Sequence, residues 1–222
     1  MLRLRSLLGA AAVLGALAVV PASAGAVTPH DPILFVHGYQ SSGSVWNTQV
    51  ANFTRDGWTA PGELNTISYS SSQSNASIAE QLRDRVNAIL ASTGNSKVDI
   101  VSHSMGGLSS RYYIRNLGGT ATVDDWVSLG GPNHGTSTAN FCPGQACVEM
   151  RPGSAFLNAL NAGDETPGAV TYGTWRSPCD GVITPSGSTS LTGATNTETA
   201  CISHSALTTD STVYAQEREF VR

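Results

Sequence analysis

Val98-Asp99-Ile100-Val101-Ser102-His103-Ser104-Met105-Gly106-Gly107 is the stretch on which the reading of this chain turns. Lys97 to Ser102 has the apolar, β-branched character of a strand, and Gly106 to Asn116 reads as a helix closed by Gly118-Gly119. A strand that turns straight into a helix leaves little room, so the residues two before and two after the turning point must be small. Ser102 and Gly106 meet that demand around Ser104. Centring the turn on Ser102 would set Ile100 at the crowded flank, where its branched side chain does not fit. Ser104 is therefore expected at the helix N-terminus, where free N–H groups and the helix dipole favour developing negative charge. The bland competitor is a plain serine-rich turn, in a chain that holds 27 Ser and 22 Thr.

Outward from this segment, short apolar runs alternate with helical patterns. Pro32 to Val36 is a continuous apolar run, as expected of a strand buried on both faces. Val45 to Arg55 sets Trp46, Val50 and Phe53 on one helical face, and Leu64 to Tyr69 reads as a strand. Asn75 to Thr93 carries Ile78, Leu82, Val86 and Ile89 at helical spacing, with Ser77 and Glu80 placed like a capping box and Gly94 as its stop. Asp124 to Leu129 and Ala169 to Trp175 read as strands, and Gly153 to Asn161 as a short helix. The Ser/Thr/Gly-rich segment 186–200 reads as a loop, and Ser205 to Val221 as a final helix. Strand–helix alternation without a repeat or a linker predicts one α/β domain, with a largely parallel, doubly wound sheet flanked by helices.

With 13% charged residues, a formal net charge of −4 and a single lysine, Lys97, the chain has no basic stripe to neutralise nucleic-acid phosphates. Its first 26 residues have a different character. Arg3 and Arg5 precede an apolar stretch from Leu7 to Val20, Pro21 breaks it, and small-x-small sites follow at Ala22-Ser23-Ala24 and Ala24-Gly25-Ala26. That is the layout of a signal peptide, and the apolar run falls short of the ~20 residues a spanning helix needs. Cleavage after Ala24 or Ala26 would leave a soluble, extracellular domain over 27–222, with no stable membrane insertion. Losing Arg3 and Arg5 would take its formal net charge from −4 to −6.

Export makes the four cysteines readable as two disulfides, in one of three pairings. The expected set is Cys142–Cys147, across a Pro-Gly loop, with Cys179–Cys201, between two later loops. No Cys-x-x-Cys pair supports a zinc site.

The central segment resembles the G-x-S-x-G nucleophile elbow of α/β-hydrolases, with Ser102 where the first Gly would stand. That resemblance implies a carboxylate and then a histidine after Ser104, on loops at the C-terminal ends of strands. His204, the last histidine, is the expected base. His134 follows a strand in Gly130-Gly131-Pro132-Asn133-His134 but has no strand-end carboxylate between it and Ser104, so it reads as a loop brace. Asp180 follows the strand that ends near Trp175 and is the expected acid. Asp124 and Asp125 precede their strand, Asp164 and Glu165 follow a helix, and Asp210 comes after His204. Cys179 adjoins Asp180 and Cys201 lies three residues before His204, so a bridge between them would clamp the acid and base loops together. His37-Gly38-Tyr39 follows the first strand; the backbone N–H groups of Tyr39 and Met105 are the expected oxyanion donors, with His37 bracing their loop.

Taken in order, Phe35-Val36-His37-Gly38-Tyr39, the segment 97–107, Tyr112-Tyr113-Ile114-Arg115-Asn116-Leu117, Leu129-Gly130-Gly131, Asp180 and His204 resemble the small secreted bacterial lipases of the class 2 family. The resemblance implies a minimal α/β-hydrolase fold without a large lid. It implies hydrolysis of carboxylic esters through an acyl-enzyme on Ser104, with Asp180 and His204 as partners and no cofactor or metal. A lipid or other ester is the implied substrate, and the chain is read as a monomer. Ser102, where the smallest relatives usually carry Ala, and the four cysteines are departures from that pattern. The same apparatus suits a cutinase-like polyester hydrolase or an acyltransferase. From a different class, a non-catalytic secreted binding module would share the scaffold but needs a broken triad.

Overall fold

The computed structural model describes residues 29–221, and the expected signal segment lies outside them. Six strands form one sheet: β1 (Ile33–Val36), β2 (Leu64–Thr66), β3 (Val98–His103), β4 (Val123–Leu129), β5 (Thr171–Arg176) and β6 (Thr195–Glu198). All five pairings are parallel, in the order β2-β1-β3-β4-β5-β6. The helices are α1 (Asn47–Arg55), α2 (Asn75–Thr93), α3 (Gly106–Asn116), α4 (Gln145–Met150), α5 (Ala155–Leu160) and α6 (Ser211–Phe220). This is the α/β-hydrolase architecture, and among the described residues no large lid covers it.

Two cores follow from the period-2 alternation of buried strands. Leu34, Val36, Ile100 and Trp126 pack with Ile78, Leu82, Val86 and Ile89 of α2 and with Leu108 and Ile114 of α3. Ile33, Phe35, Val101, Val127 and Leu129 face the other way, onto Phe53 of α1 and Val213 and Tyr214 of α6. Each such fully buried side chain contributes about 1.5–3 kcal/mol relative to exposure.

The outermost strand departs from the sequence reading. Residues 195–198 form β6 inside the segment expected to be a loop. It pairs on one side only and its residues Thr195, Asn196 and Glu198 are exposed, so it carries no apolar pattern to read. Ser74, not Ser77, caps α2, its hydroxyl accepting the Ser77 N–H; Gly94 ends the helix as expected. The final helix begins at Ser211, where Asp210 accepts the Thr212 and Val213 amides, after a 3-10 turn over Ser205–Thr208. Helix α4 lies in the disulfide segment and had no pattern of its own. Asp124 and Asp125 belong to β4 rather than preceding it, but at its N-terminal edge. At that same edge the Lys97 ammonium donates to the Val123 carbonyl.

Because β1 has β2 on one side and β3 on the other, the strand order reverses between β1 and β3. A crevice therefore opens outside their carboxyl ends.

Where α6 meets α1, the expected apolar face carries Gln49 at a fully buried position, with Val50 only half-buried. Gln49 Nε2 donates to Oε2 of the fully buried Glu217, whose other oxygen has no partner. Burial pushes the Glu217 carboxyl up to about 8. Between pH 4.5 and 8 the fold holds a proton there that the unfolded chain releases, so Glu217 makes stability fall as pH rises through that window. Glu217→Gln should flatten the decline of Tm with pH across it. Parallel Tm–pH curves for the two proteins would show that Glu217 is already ionised.

Candidate active site

Ser104 stands between β3 and α3 with φ +55°, in the left-handed region that non-glycine residues rarely adopt. Two main-chain bonds hold it there: Ser104 N–H donates to Leu129 O, and Gly107 N–H donates to Ser104 O. The need for a small residue at 106 comes from β1. A Cβ on Gly106 would lie 2.6 Å from the His37 carbonyl oxygen and 2.7 Å from that of Val36. Ser102, the other serine of the segment, is fully buried and donates its hydroxyl to Val127 O at 2.6 Å, which ties it into the sheet.

The loop after β1 closes on the same spot. A Cβ on Gly38 would sit 2.7 Å from Ser104 Cβ, so only glycine lets this backbone pass the serine so closely. His37 is buried and braces the loop: Nδ1 donates to Gly38 O at 2.8 Å, Nε2 accepts the Tyr69 N–H, and the Tyr69 hydroxyl donates to the His37 carbonyl. Burial lowers the His37 pKa and outweighs the opposing Gly38 bond, in keeping with a neutral ring that both donates and accepts. Among the described residues, no hydrogen bond engages the Tyr39 or Met105 N–H.

Asp180 and His204 meet across two loops. His204 Nδ1 lies 2.7 Å from Asp180 Oδ2, while Asp180 Oδ1 accepts the Val182 and Ile183 amides at 2.8 and 2.9 Å. Burial raises the Asp180 pKa, but the His204 hydrogen bond and charge and the two amides outweigh it and hold the carboxyl below its ordinary value. An ionised acceptor on Nδ1 leaves Nε2 as the ring nitrogen able to take up a proton.

Two residues that sequence reasoning passed over join these parts. His103 Nε2 donates to the His204 carbonyl at 3.0 Å, and the two rings lie 4.5 Å apart. Burial and the nearby His204 lower the His103 pKa to about 3, so the ring is neutral. Ser177, fully buried, donates its hydroxyl to Ile202 O at 2.6 Å and accepts the Ile202 and Cys179 amides, joining the acid loop to the base loop. The signal for His103 was its place beside Ser104; Ser177 had none in so serine-rich a chain.

Both expected disulfides are present, Cys142–Cys147 and Cys179–Cys201. His134 lies on Glu165 at 2.6 Å and on Ser188 O, bracing loops as expected rather than meeting Asp180. Beside Ser104 opens a cavity of about 280 Å³ whose walls include Tyr39, Ala139, Met150 and Ile183, with no charged side chain in its lining. Among the described residues, no three His, Cys, Asp or Glu side chains are grouped to hold a metal ion.

The sequence model of the family described as Lipase (class 2) matches residues 30–218. Among solved structures, a Bacillus licheniformis lipase in its mature form is similar at TM-score 0.76 and 19% identity, over 88% of this chain and 94% of that one. Aspergillus fumigatus lipase B is similar at TM-score 0.69 and 18% identity, over 84% of this chain and 51% of that larger one. A Listeria innocua gene product is similar at TM-score 0.65 and 13% identity, over 87% of this chain and 94% of that one. Likenesses at such identities speak for the fold.

Cys179 and Cys201 are exposed, and their bond spans the loops that carry Asp180 and His204. In the Cys179→Ala/Cys201→Ala variant, ester turnover should fall several-fold while Tm and the circular dichroism spectrum stay near those of the parent. Turnover and Tm falling together would reduce the bridge to plain loop stapling.

Proposed function

Because this chain belongs to the class 2 lipase family, we propose that it is an exported carboxylic ester hydrolase, acting on lipid esters through a Ser104-Asp180-His204 triad. The observation that carries the reading is the Asp180–His204 pair, bonded at 2.7 Å and tied through His103 to the turn that presents Ser104. His204 Nε2 takes the Ser104 proton as Oγ attacks the ester carbonyl. The Tyr39 and Met105 amides then receive the tetrahedral oxyanion. His204 returns the proton to the departing alcohol, which leaves an acyl-enzyme on Ser104. Water, deprotonated by His204, attacks that ester in turn and frees the acid and the serine. Asp180 stays ionised throughout, orients His204 and stabilises its charged form.

The uncharged cavity beside Ser104 supports an acyl chain as the group bound there. The signal-like residues 1–26 and the two disulfides support export and an extracellular site of action. We take the working unit to be a monomer with no nucleic-acid partner.

The test is initial rates on p-nitrophenyl esters from acetate to palmitate, with Ser104→Ala as the blank. Turnover should fall by several orders of magnitude in the variant, since the triad acts as a unit, and the optimum chain length separates an esterase from a lipase. Equal rates in both proteins, or none on any ester, would sink the mechanism. Asp180→Asn should cost on the order of 10⁴ in kcat, as the equivalent change does in a serine protease; a loss under tenfold would remove Asp180 from the triad.

A further inference from the structure

We propose that Ser71 is a positioning residue: it holds the loop after β1 in a strained form and thereby aims the Tyr39 amide at the oxyanion. The proposal rests on the ester-hydrolase reading above and adds what fixes one oxyanion donor before substrate arrives.

Glycine takes left-handed backbone without the clash that a Cβ brings. In Gly38-Tyr39-Gln40-Ser41-Ser42-Gly43 it stands at 38 and 43, yet the residue in left-handed backbone is Gln40, with φ +51°. Among the described residues, Ser104 is the other non-glycine residue in that region. The pair adjoins the two expected oxyanion donors: Gln40 directly follows Tyr39, and Ser104 directly precedes Met105. Strain of this kind persists only where the surroundings hold it. For Ser104, the bonds to Leu129 and Gly107 do so.

Gln40 needs a holder of its own, and packing does not supply one, because the residue is exposed. Its N–H donates to Ser71 Oγ at 2.8 Å, across 31 positions of chain. Ser71 lies in the connection from β2 to α2, and that connection grips the whole loop. Ser68 Oγ accepts the Gly43 N–H at 2.9 Å. Tyr69 stacks on His37, with ring centroids 3.9 Å apart, gives its N–H to His37 Nε2 and its hydroxyl to the His37 carbonyl. Tyr69 thus fixes the chain before Tyr39, and Ser71 fixes it after. Released from Ser71, Gln40 would relax toward the right-handed or extended backbone that its Cβ prefers and would turn Tyr39 with it. A misplacement of about 1 Å can cost on the order of 100-fold in rate.

The mature protein is assayed on dissolved p-nitrophenyl acetate, with kcat and KM determined separately and Tm measured alongside. Ser71→Ala should lower kcat about tenfold, between no effect and the roughly 10²–10³ that follows loss of an oxyanion donor, with KM and Tm near those of the parent. Ser71→Thr, which keeps the hydroxyl, should restore kcat. Ser72→Ala, whose hydroxyl bonds only that of Ser70 on the surface, should leave it unchanged. Affinity for butylboronic acid, which forms a tetrahedral adduct on a reactive serine, should weaken in Ser71→Ala by about the factor lost in kcat. In the Gln40→Gly background the Ser71→Ala loss should shrink, since glycine needs no partner to stay left-handed.

A rise in KM alone, a fall in kcat matched by a fall in Tm, boronate affinity unchanged, or a loss of the same size in the Gln40→Gly background would each overturn the proposal. Parent turnover reads the hydrolase, and the ratio of variant to parent reads the role of Ser71. Equal turnover in parent and Ser71→Ala would overturn the second alone, whereas a parent without turnover would overturn both.

Discussion

A serine held in left-handed backbone is the constraint from which the rest of this molecule follows. That conformation costs about 1–2 kcal/mol at a residue with a Cβ, and nothing local to Ser104 repays it. It persists because β3 and β4 fix the Leu129 carbonyl that receives its N–H, while α3 fixes the Gly107 N–H that bonds its carbonyl. The carbonyls of Val36 and His37 then press so close to the turn that residue 106 must lack a side chain. Close approach of β1 and β3 in turn requires them to be neighbours, and that adjacency opens the crevice.

Environment separates three polar groups around that turn into different protonation states. His37 and His103 are buried, and burial outweighs what would charge them and keeps both neutral. Neutral rings can accept as well as donate, and both serve as rigid struts between backbone segments. Asp180 is as buried as Ser104, yet two amides and His204 surround its oxygens and keep it charged. The site thus places one fixed negative charge among neutral supports.

The elements whose side chains face the core were legible in the sequence, because burial writes periodicity. Ile78, Leu82, Val86 and Ile89 announced α2, and the run ending in Val36 announced a strand buried on both faces. Spacing and strand order singled out Ser104, Asp180 and His204, and the structure brings Asp180 against His204. Strand β6 was not legible, because an edge strand of Thr and Asn holds its place by main-chain pairing with β5. Gln49 was hidden for the opposite reason: a polar residue fills a core position that pattern assigns to its neighbour Val50. The joining roles of His103 and Ser177 depend on hydrogen bonds to residues far along the chain, 101 and 25 positions away, which no local pattern encodes.

Lys97 sits where β3 begins, its ammonium on the Val123 carbonyl at the N-terminal edge of the sheet. Ser104 follows the other end of the same strand, roughly 20 Å away at ~3.3 Å per residue. As the sole lysine, Lys97 is the one side-chain amine available to acylating reagents. A dye, a polymer or a solid support attached through it would tether the molecule by the edge opposite the crevice. Immobilised in that way, every copy would present the same face outward, an orientation that chains with many lysines reach only by engineering.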